Sequence, residues 1–487
     1  MIRPSREEAK NLAKHGTIVP IALEILSDRK TPIEVLRNIK QQSSDWFILE
    51  SVNGGDGWGR YSFLGHNPFM SIFGSGDTVT IKTETNEISN KQDALEAIRK
   101  LISRYKSPSI PYLPPFTGGF IGYFAYDFAK HLVPGLAINA SDENNFHDFH
   151  LMLIDKVIAF DHFRQKIYLI VNIATENIDD NYTAGIAELQ DIEKMILKTS
   201  ADIEEAPSVC GEFSSLFTSE SWKSVVEKVQ HHIMEGDIFQ AVISNRFKAP
   251  FEGSLMNTYR LLRTTNPSPY MVHMRLGDTE IACASPETLV SCRNGEISSF
   301  PLAGTCLRGK TEEEDAALTE ALLHDEKELA EHDMLVDLAR NDIGKVSQFG
   351  SVTVREYRQI KKFSHVSHIS SRVTGKLKEG ADALDAIAAT LPSGTLSGAP
   401  KKRACEIIDA AEKTKRGVYG GALGYIDFAG NMDMCIGIRM AVLKGGNVFV
   451  QAGSGIVADS IPEKEYLETN NKARAVMDAL KNSGEVY

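Results

Sequence analysis

Paired cysteines, a basic surplus and long apolar runs are all missing from this 487-residue chain. Its six cysteines stand at 210, 283, 292, 306, 405 and 435 with no Cys-x-x-Cys spacing. That excludes a zinc ribbon or a small disulfide framework and predicts reduced thiols. Acidic residues outnumber basic ones, 65 to 53, for a formal net charge of −12. A surface that tracks phosphates needs clustered Lys and Arg, so nucleic acid and anionic membrane are excluded as general partners. A small anionic substrate is not, because a few local cations or a bound metal suffice. Apolar stretches such as IYLIVNIA are too short to cross a bilayer. The first residues, MIRPSREEAKNLAKHG, are polar and lack the apolar core of a signal peptide, so a cytoplasmic protein is expected. No short repeat is visible, which argues against solenoids and propellers.

What is present is ordinary globular material, 42% hydrophobic and 24% charged, enough for a sizeable core. Residues 199–215 are acidic and aperiodic. They are read as a connector between an N-terminal half, 1–205, and a C-terminal half, 216–487. DWFILESV, DTVTIKT and KIYLIVNIA read as strands of the first half, and residues 93–104 as a helix. In the second half WKSVVEKVQHHIMEG reads as a helix stopping at Gly236. FQAVISNRF and YMVHMRL follow as strands. Residues 312–342, without Gly or Pro, predict long helix. GGALGYIDF, MCIGIRMAVL and NVFVQAGSGIV look like consecutive strands, and residues 464–482 like a final helix. Strands grouped in this way predict an α+β fold rather than a TIM barrel.

Two Glu-x-x-Glu pairs lie in predicted helices, Glu328 with Glu331 and Glu465 with Glu468. Residues three apart share a helix face, so each pair can aim two carboxylates at one point. Four such carboxylates suit a hard divalent cation, Mg²⁺ best of all, although each pair alone reads more readily as a solvated face. Lys472, on the stripe of Glu465, can meet a ligand anion or pair with Glu468. LPSGTLSGAPKK, residues 391–402, is a small-residue loop before a helix and could hold an anion on backbone N–H groups. QAGSG, residues 451–455, reads as a turn. Arg439, in an apolar run read as strand, needs an anionic or carbonyl partner. In FSHVSHISSRV, His365 and His368 are an odd number apart, so in a strand they face opposite sides. Glu287, after Pro286 in ASPETLV, sits at an expected turn.

GDIFQAV, NPSPYM, ASPE, FPLAGT, KELAEHDMLVDLARND, LPSGTLSGAPK, GGALGY, CIGIRM, QAGSGIV and the last Glu-x-x-Glu follow one another in this order. Together with LESV and GGFIGYFAYD in the first half, they closely resemble the chorismate-utilising enzymes, and within them the large subunits that form anthranilate. The resemblance implies a two-lobed fold of stacked antiparallel sheets flanked by helices. It implies a lyase in which Glu328, Glu331, Glu465 and Glu468 surround Mg²⁺ at the ring carboxylate of chorismate. Gly453, Ser454 and Gly455 would support that carboxylate, with Lys472 nearby. Arg439 and Tyr425 would hold the enolpyruvyl side chain, and Thr395 would line the ring pocket. Glu287 matches a general acid, and His368 a group acting when the ring proton is lost and pyruvate leaves.

Two positions separate this chain from sister enzymes. Ala303 stands where aminodeoxychorismate synthases carry a nucleophilic Lys, and Gln240 where isochorismate synthases carry a Lys base. Ammonia is then the expected nucleophile. No cysteine sits in a glutamine-amidotransferase turn, so a separate small subunit that hydrolyses glutamine is the expected partner in a hetero-oligomer. Glu50, Ser51, Pro269, Tyr270, Met271 and Cys435 match a tryptophan feedback pocket. The alternatives are an aminodeoxychorismate synthase or a catalytically silent tryptophan-binding regulator.

Overall fold

Strands that are apolar on both faces must be covered on both, and this chain meets that demand with two sheets packed face to face and helices outside. The computed structural model describes residues 2–51, 58–198, 207–362 and 366–486. Among the described residues one sheet has fourteen strands and the other twelve, and their ladders are antiparallel. Trp46–Glu50 shows the logic: Phe47 and Leu49 face the core between the sheets, while Trp46 and Ile48 face the outer helices. Alternation therefore divides residues between two apolar layers, and the strand reads as an unbroken hydrophobic run.

The helices follow amphipathic stripes closed by ordinary caps. Asp93 caps Ala94–Ile102 through its side chain, and the four buried positions of that helix lie on one face. The expected single helix over 312–342 is two, Glu312–Leu323 and Glu326–Val346. Asp325 divides them because its carboxylate accepts from the N–H groups of Lys327 and Glu328, a helix start rather than a helix interior. That start fixes where Glu328 and Glu331 sit on the second helix.

The molecule contains its own topology twice. In the larger sheet the order Ile18–Leu26, Lys166–Ala174, Lys156–Asp161, Tyr61–His66, Trp46–Glu50 is repeated in the second half. There it runs Gln240–Glu252, Asn447–Ile456, Met440–Lys444, Thr279–Ser285, Tyr270–Leu276. The smaller sheet matches Gly119–Phe124, Phe149–Ile154, Met70–Ser75, Thr78–Thr83 and Glu87–Lys91 with Ala422–Asp427, Met432–Ile436, Thr288–Arg293, Glu296–Ser299 and Val366–Lys376. The copies meet where Trp46–Glu50 pairs with Tyr270–Leu276 and Gly119–Phe124 with Ala422–Asp427. Each sheet thus takes strands from both halves, and neither half closes a core alone. At the second seam Gly122 faces Gly424, both at φ 155. A Cβ on either would strike a backbone carbonyl, of His150 or of Asp433.

Candidate active site

The helix Glu326–Val346 packs on the strands Leu302–Leu307 and Val366–Lys376, and Pro462–Lys481 packs on Asn447–Ile456. These helices carry the two Glu-x-x-Glu pairs to one region. Burial raises the Glu331 carboxyl above the usual range, and Glu328 of its own helix and Glu468 of the other raise it further. Lys472 forms an ion pair with Glu468 at 2.6 Å and donates at 3.1 Å to the Gly453 carbonyl. It thus makes both the Glu468 contact left open by the sequence and a backbone one. Glu465 accepts from Ser460 Oγ at 2.9 Å. Among the described residues no three of the four glutamates bring ligand atoms within 4.8 Å of one another. The excess of like charge is what a hard cation would relieve, and carboxylate oxygens are its ligands, so the residues fit Mg²⁺ that keeps several waters.

Gly453, Ser454 and Gly455 are strand, not turn: they pair with Ser244, Ile243 and Val242. The adjoining strand Met440–Lys444 pairs no farther than Val450, leaving the edge beyond it to the site. Alternation puts the backbone groups of Gly453 and Gly455 on one edge, the edge that Lys472 reaches. Gln240 lies over one face of this stretch, its Oε1 3.9 Å from where a Cβ on Gly455 would be.

Arg439 is not a strand residue. It occupies the link between Met432–Ile436 and Met440–Lys444 at φ 53, and its Nη1 donates to the Lys472 carbonyl at 2.9 Å. Burial lowers its pKa, an effect that Tyr419 and Glu468 partly offset. The aromatic neighbour of Arg439 is thus Tyr419. Tyr425 does not join it: its ring is buried 4.4 Å from that of Phe116, opposite Asp433 in the ladder. The sequence contained the warning, because GGALGY at 420–425 repeats GGFIGY at 118–123 and makes Tyr425 the counterpart of the buried core residue Tyr123.

Glu287 is half-buried beside the strand Thr288–Arg293, not on an open turn. Desolvation pushes its carboxyl up to about 7, partly offset by a 2.9 Å hydrogen bond donated by Thr395 Oγ1 to Oε1 and by the Lys472 charge. The loop 391–402 serves this contact, and its Ser397 carbonyl is tied to the Val242 N–H. Pro400, as N-cap of Lys401–Glu412, offers no side-chain cap, so the anion-cradle reading gains nothing here.

His368 lies in Val366–Lys376, opposite Thr305 and next to Ile369, which pairs with Ala303. Its Nδ1 is 3.1 Å from the Gly304 carbonyl. A carbonyl can only accept, so Nδ1 carries the proton and Nε2 the lone pair. Burial lowers the His368 pKa and Arg439 adds to that; together they outweigh the Gly304 hydrogen bond, which raises it, and the net shift favours a neutral ring. Gly304 is in turn close to Glu328 Oε2. His365 lies outside the described residues, as does 199–206 of the connector.

The residues matched to a feedback pocket gather at the seam between the copies. Glu50 stands opposite Met271 and accepts from Ser62 Oγ at 2.9 Å and Tyr259 Oη at 2.7 Å, with Arg263 at 2.8 Å. Tyr270 Oη lies 2.7 Å from Thr288 Oγ1, and Thr288 is opposite Cys435. Ser51 and Pro269 adjoin them in the chain, half-buried.

A half-buried carboxyl, a half-buried imidazole, the glutamates of two helices and an open strand edge mark the site of an enzyme acting on a small anion. The model of the chorismate binding enzymes matches residues 53–478, and the chain belongs to that family. Along its whole length it is 42% identical over 497 residues to anthranilate synthase component 1 of Acetivibrio thermocellus, all of both chains being covered. It is also 42% identical to the namesake from Aquifex aeolicus, with 99% of this chain and 98% of that one covered. The solved anthranilate synthase component I from Streptococcus pneumoniae superposes with a TM-score of 0.78 at 36% identity, over 93% of this chain and 98% of that one. Among the described residues no helix is long and apolar enough to cross a membrane.

Proposed function

We propose that the chain is the aminating subunit of an anthranilate synthase, converting chorismate and ammonia to anthranilate and pyruvate. The observation that supports the reading is a carboxyl raised to about 7 by burial and an imidazole whose pKa burial lowers, linked through Lys472, whose charge acts on the first, and Arg439, whose charge acts on the second. Glu287 gives its proton to the departing ring hydroxyl, since hydroxide leaves poorly without one. His368 Nε2 then takes the ring proton as pyruvate leaves. Arg439 holds the enolpyruvyl carboxylate, with Tyr419 beside it. The Gly453 and Gly455 edge and Lys472 orient the ring carboxylate. Glu328, Glu331, Glu465 and Glu468 would hold Mg²⁺, which would supply the charge that neutralises that carboxylate. Ala303 offers no nucleophile and Gln240 no base, so ammonia itself adds to the ring. A glutamine-hydrolysing partner subunit supplies it. Tryptophan at the seam around Glu50, Ser51, Tyr270, Met271 and Cys435 biases the two copies against each other and so lowers turnover.

Product fluorescence from the purified chain with chorismate, Mg²⁺ and ammonium tests this. Anthranilate that disappears without Mg²⁺ and in Glu328→Gln is expected. Aminodeoxychorismate as the product would move the chain to a sister enzyme, and tryptophan binding without turnover would make it a regulator.

A further inference from the structure

A general acid used once per turnover must be reprotonated, and substrate covers the face it acts on. Glu287 is not served from that face alone. Behind it lies a second pocket, between the helix Glu326–Val346 and the loop that carries Thr395. Its polar lining includes Glu287, Ser299, Asp342, Thr390, Ser393 and Thr395, facing an apolar wall from that helix and the strand after Glu287. None of Gly453, Lys472, His368 or Arg439 borders it.

The hydrogen bonds from Glu287 into this pocket have a direction. Thr395 Oγ1 donates to Glu287 Oε1 at 2.9 Å. Having spent its proton there, Thr395 Oγ1 accepts from Ser393 Oγ at 2.9 Å. Ser393 Oγ accepts in turn from the Thr395 N–H at 3.3 Å, which leaves its second lone pair for a donor within the pocket. Ser397 Oγ donates to the Ser393 carbonyl at 2.7 Å and fixes the residue in place. A carboxylate, two hydroxyls and a polar pocket thus form one chain of donors pointing at the acid.

We propose that Ser393 and Thr395 form a proton relay that recharges Glu287 from water in the rear pocket while substrate occupies the front, which rests on the reading of Glu287 as the general acid. In each recharge the Thr395 O–H bond breaks as the carboxyl O–H forms. The Ser393 proton passes to Thr395, and a hydronium ion in the pocket returns one to Ser393. The balance is carboxylate plus hydronium giving carboxylic acid plus water. Asp342 borders the same pocket, its carboxylate ion-paired with both Lys345 and Lys401 at 2.9 Å. Ser393 acts through Thr395 and is a positioning residue.

The test compares the unaltered chain with Ser393→Ala and Ser393→Thr, under chorismate, Mg²⁺ and ammonium. Loss of one assisted proton transfer predicts roughly a tenfold to hundredfold lower turnover in Ser393→Ala. The KM for chorismate is unchanged, the solvent deuterium isotope effect on turnover increases, and formic acid partly rescues the rate. Ser393→Thr, which keeps the hydroxyl, retains most activity. Full turnover in Ser393→Ala with an unchanged isotope effect overturns the relay. So does equal loss in both variants with a lowered Tm, which makes Ser393 a packing residue. If the unaltered chain forms no anthranilate, the functional reading fails first and the relay with it.

Discussion

The two copies of the topology differ most where one of them became a site. In the first half Lys156–Asp161 stays paired with its neighbour as far as Lys156 opposite Val171, and the Asn172 N–H is taken by the Asp155 carbonyl at 2.8 Å. In the second half the corresponding ladder ends at Ala441 opposite Val450, because Arg439, the positional equivalent of Lys156, turns to φ 53 and leaves the strand. One left-handed residue therefore frees the edge that carries Gly453 and Gly455. The other difference is an excursion. Thr78–Thr83 and Glu87–Lys91 are joined by residues 84–86, whereas Glu296–Ser299 and Val366–Lys376 are joined by 300–365, which carry Ala303, Glu328 and Glu331. Broken ladders and long insertions cost stability, and a fold keeps them where chemistry needs backbone groups and carboxylates unspent.

This contrast can be broken at graded cost. Glu287→Gln removes a proton donor that the first copy has no counterpart for, and turnover measured by product fluorescence should fall about 10²–10⁴-fold. In the unaltered chain, at constant free ammonia, the acid form of Glu287 is present below its pKa of about 7. Turnover should therefore decline as pH rises through that value, and the limb should vanish in the variant. Arg439→Lys keeps charge but not the planar fork, and should raise the KM for chorismate about tenfold or more. Glu331→Gln relieves the like-charge cluster and should raise the Mg²⁺ needed for half-maximal rate by at least about tenfold, measured by metal titration. Gly122→Ala and Gly424→Ala should lower Tm alike, each by strain of about 1–3 kcal/mol or more, whichever copy carries the change. Ser51→Leu should leave uninhibited turnover nearly intact and abolish its response to tryptophan; undiminished inhibition would remove Ser51 from that pocket.

Much of this was legible in the chain because its signals are local. Glu-x-x-Glu spacing on helices, the strand at His368 and the run Lys166–Ala174 depend on neighbours a few residues away, and each came out where the pattern put it. What was not legible depends on partners far along the chain. QAGSG reads both as a turn and as the end of a strand, and only Gln240–Glu252 beside it decides for the strand. Tyr425 and Tyr419 are both buried core tyrosines near glycines, and only the folded chain shows which of them lies beside Arg439. The break at Asp325 turned on a capping bond competing with good helix formers. The duplication itself left little in the sequence beyond the two Gly-Gly-x-x-Gly-Tyr stretches, because packing preserves strand order while residue identities drift.

The shared sheets also bear on how the molecule is made. Trp46–Glu50 and Gly119–Phe124 find their partners more than two hundred residues later in the chain, at Tyr270–Leu276 and Ala422–Asp427. A nascent chain that has emitted its first half therefore holds two apolar strand edges without neighbours until the second half arrives. Such edges pair readily with other chains, and such distant contacts form slowly. Synthesis of this protein must pass through an interval in which a finished topology cannot close, and the exposure ends only when the strand Ala422–Asp427 leaves the ribosome.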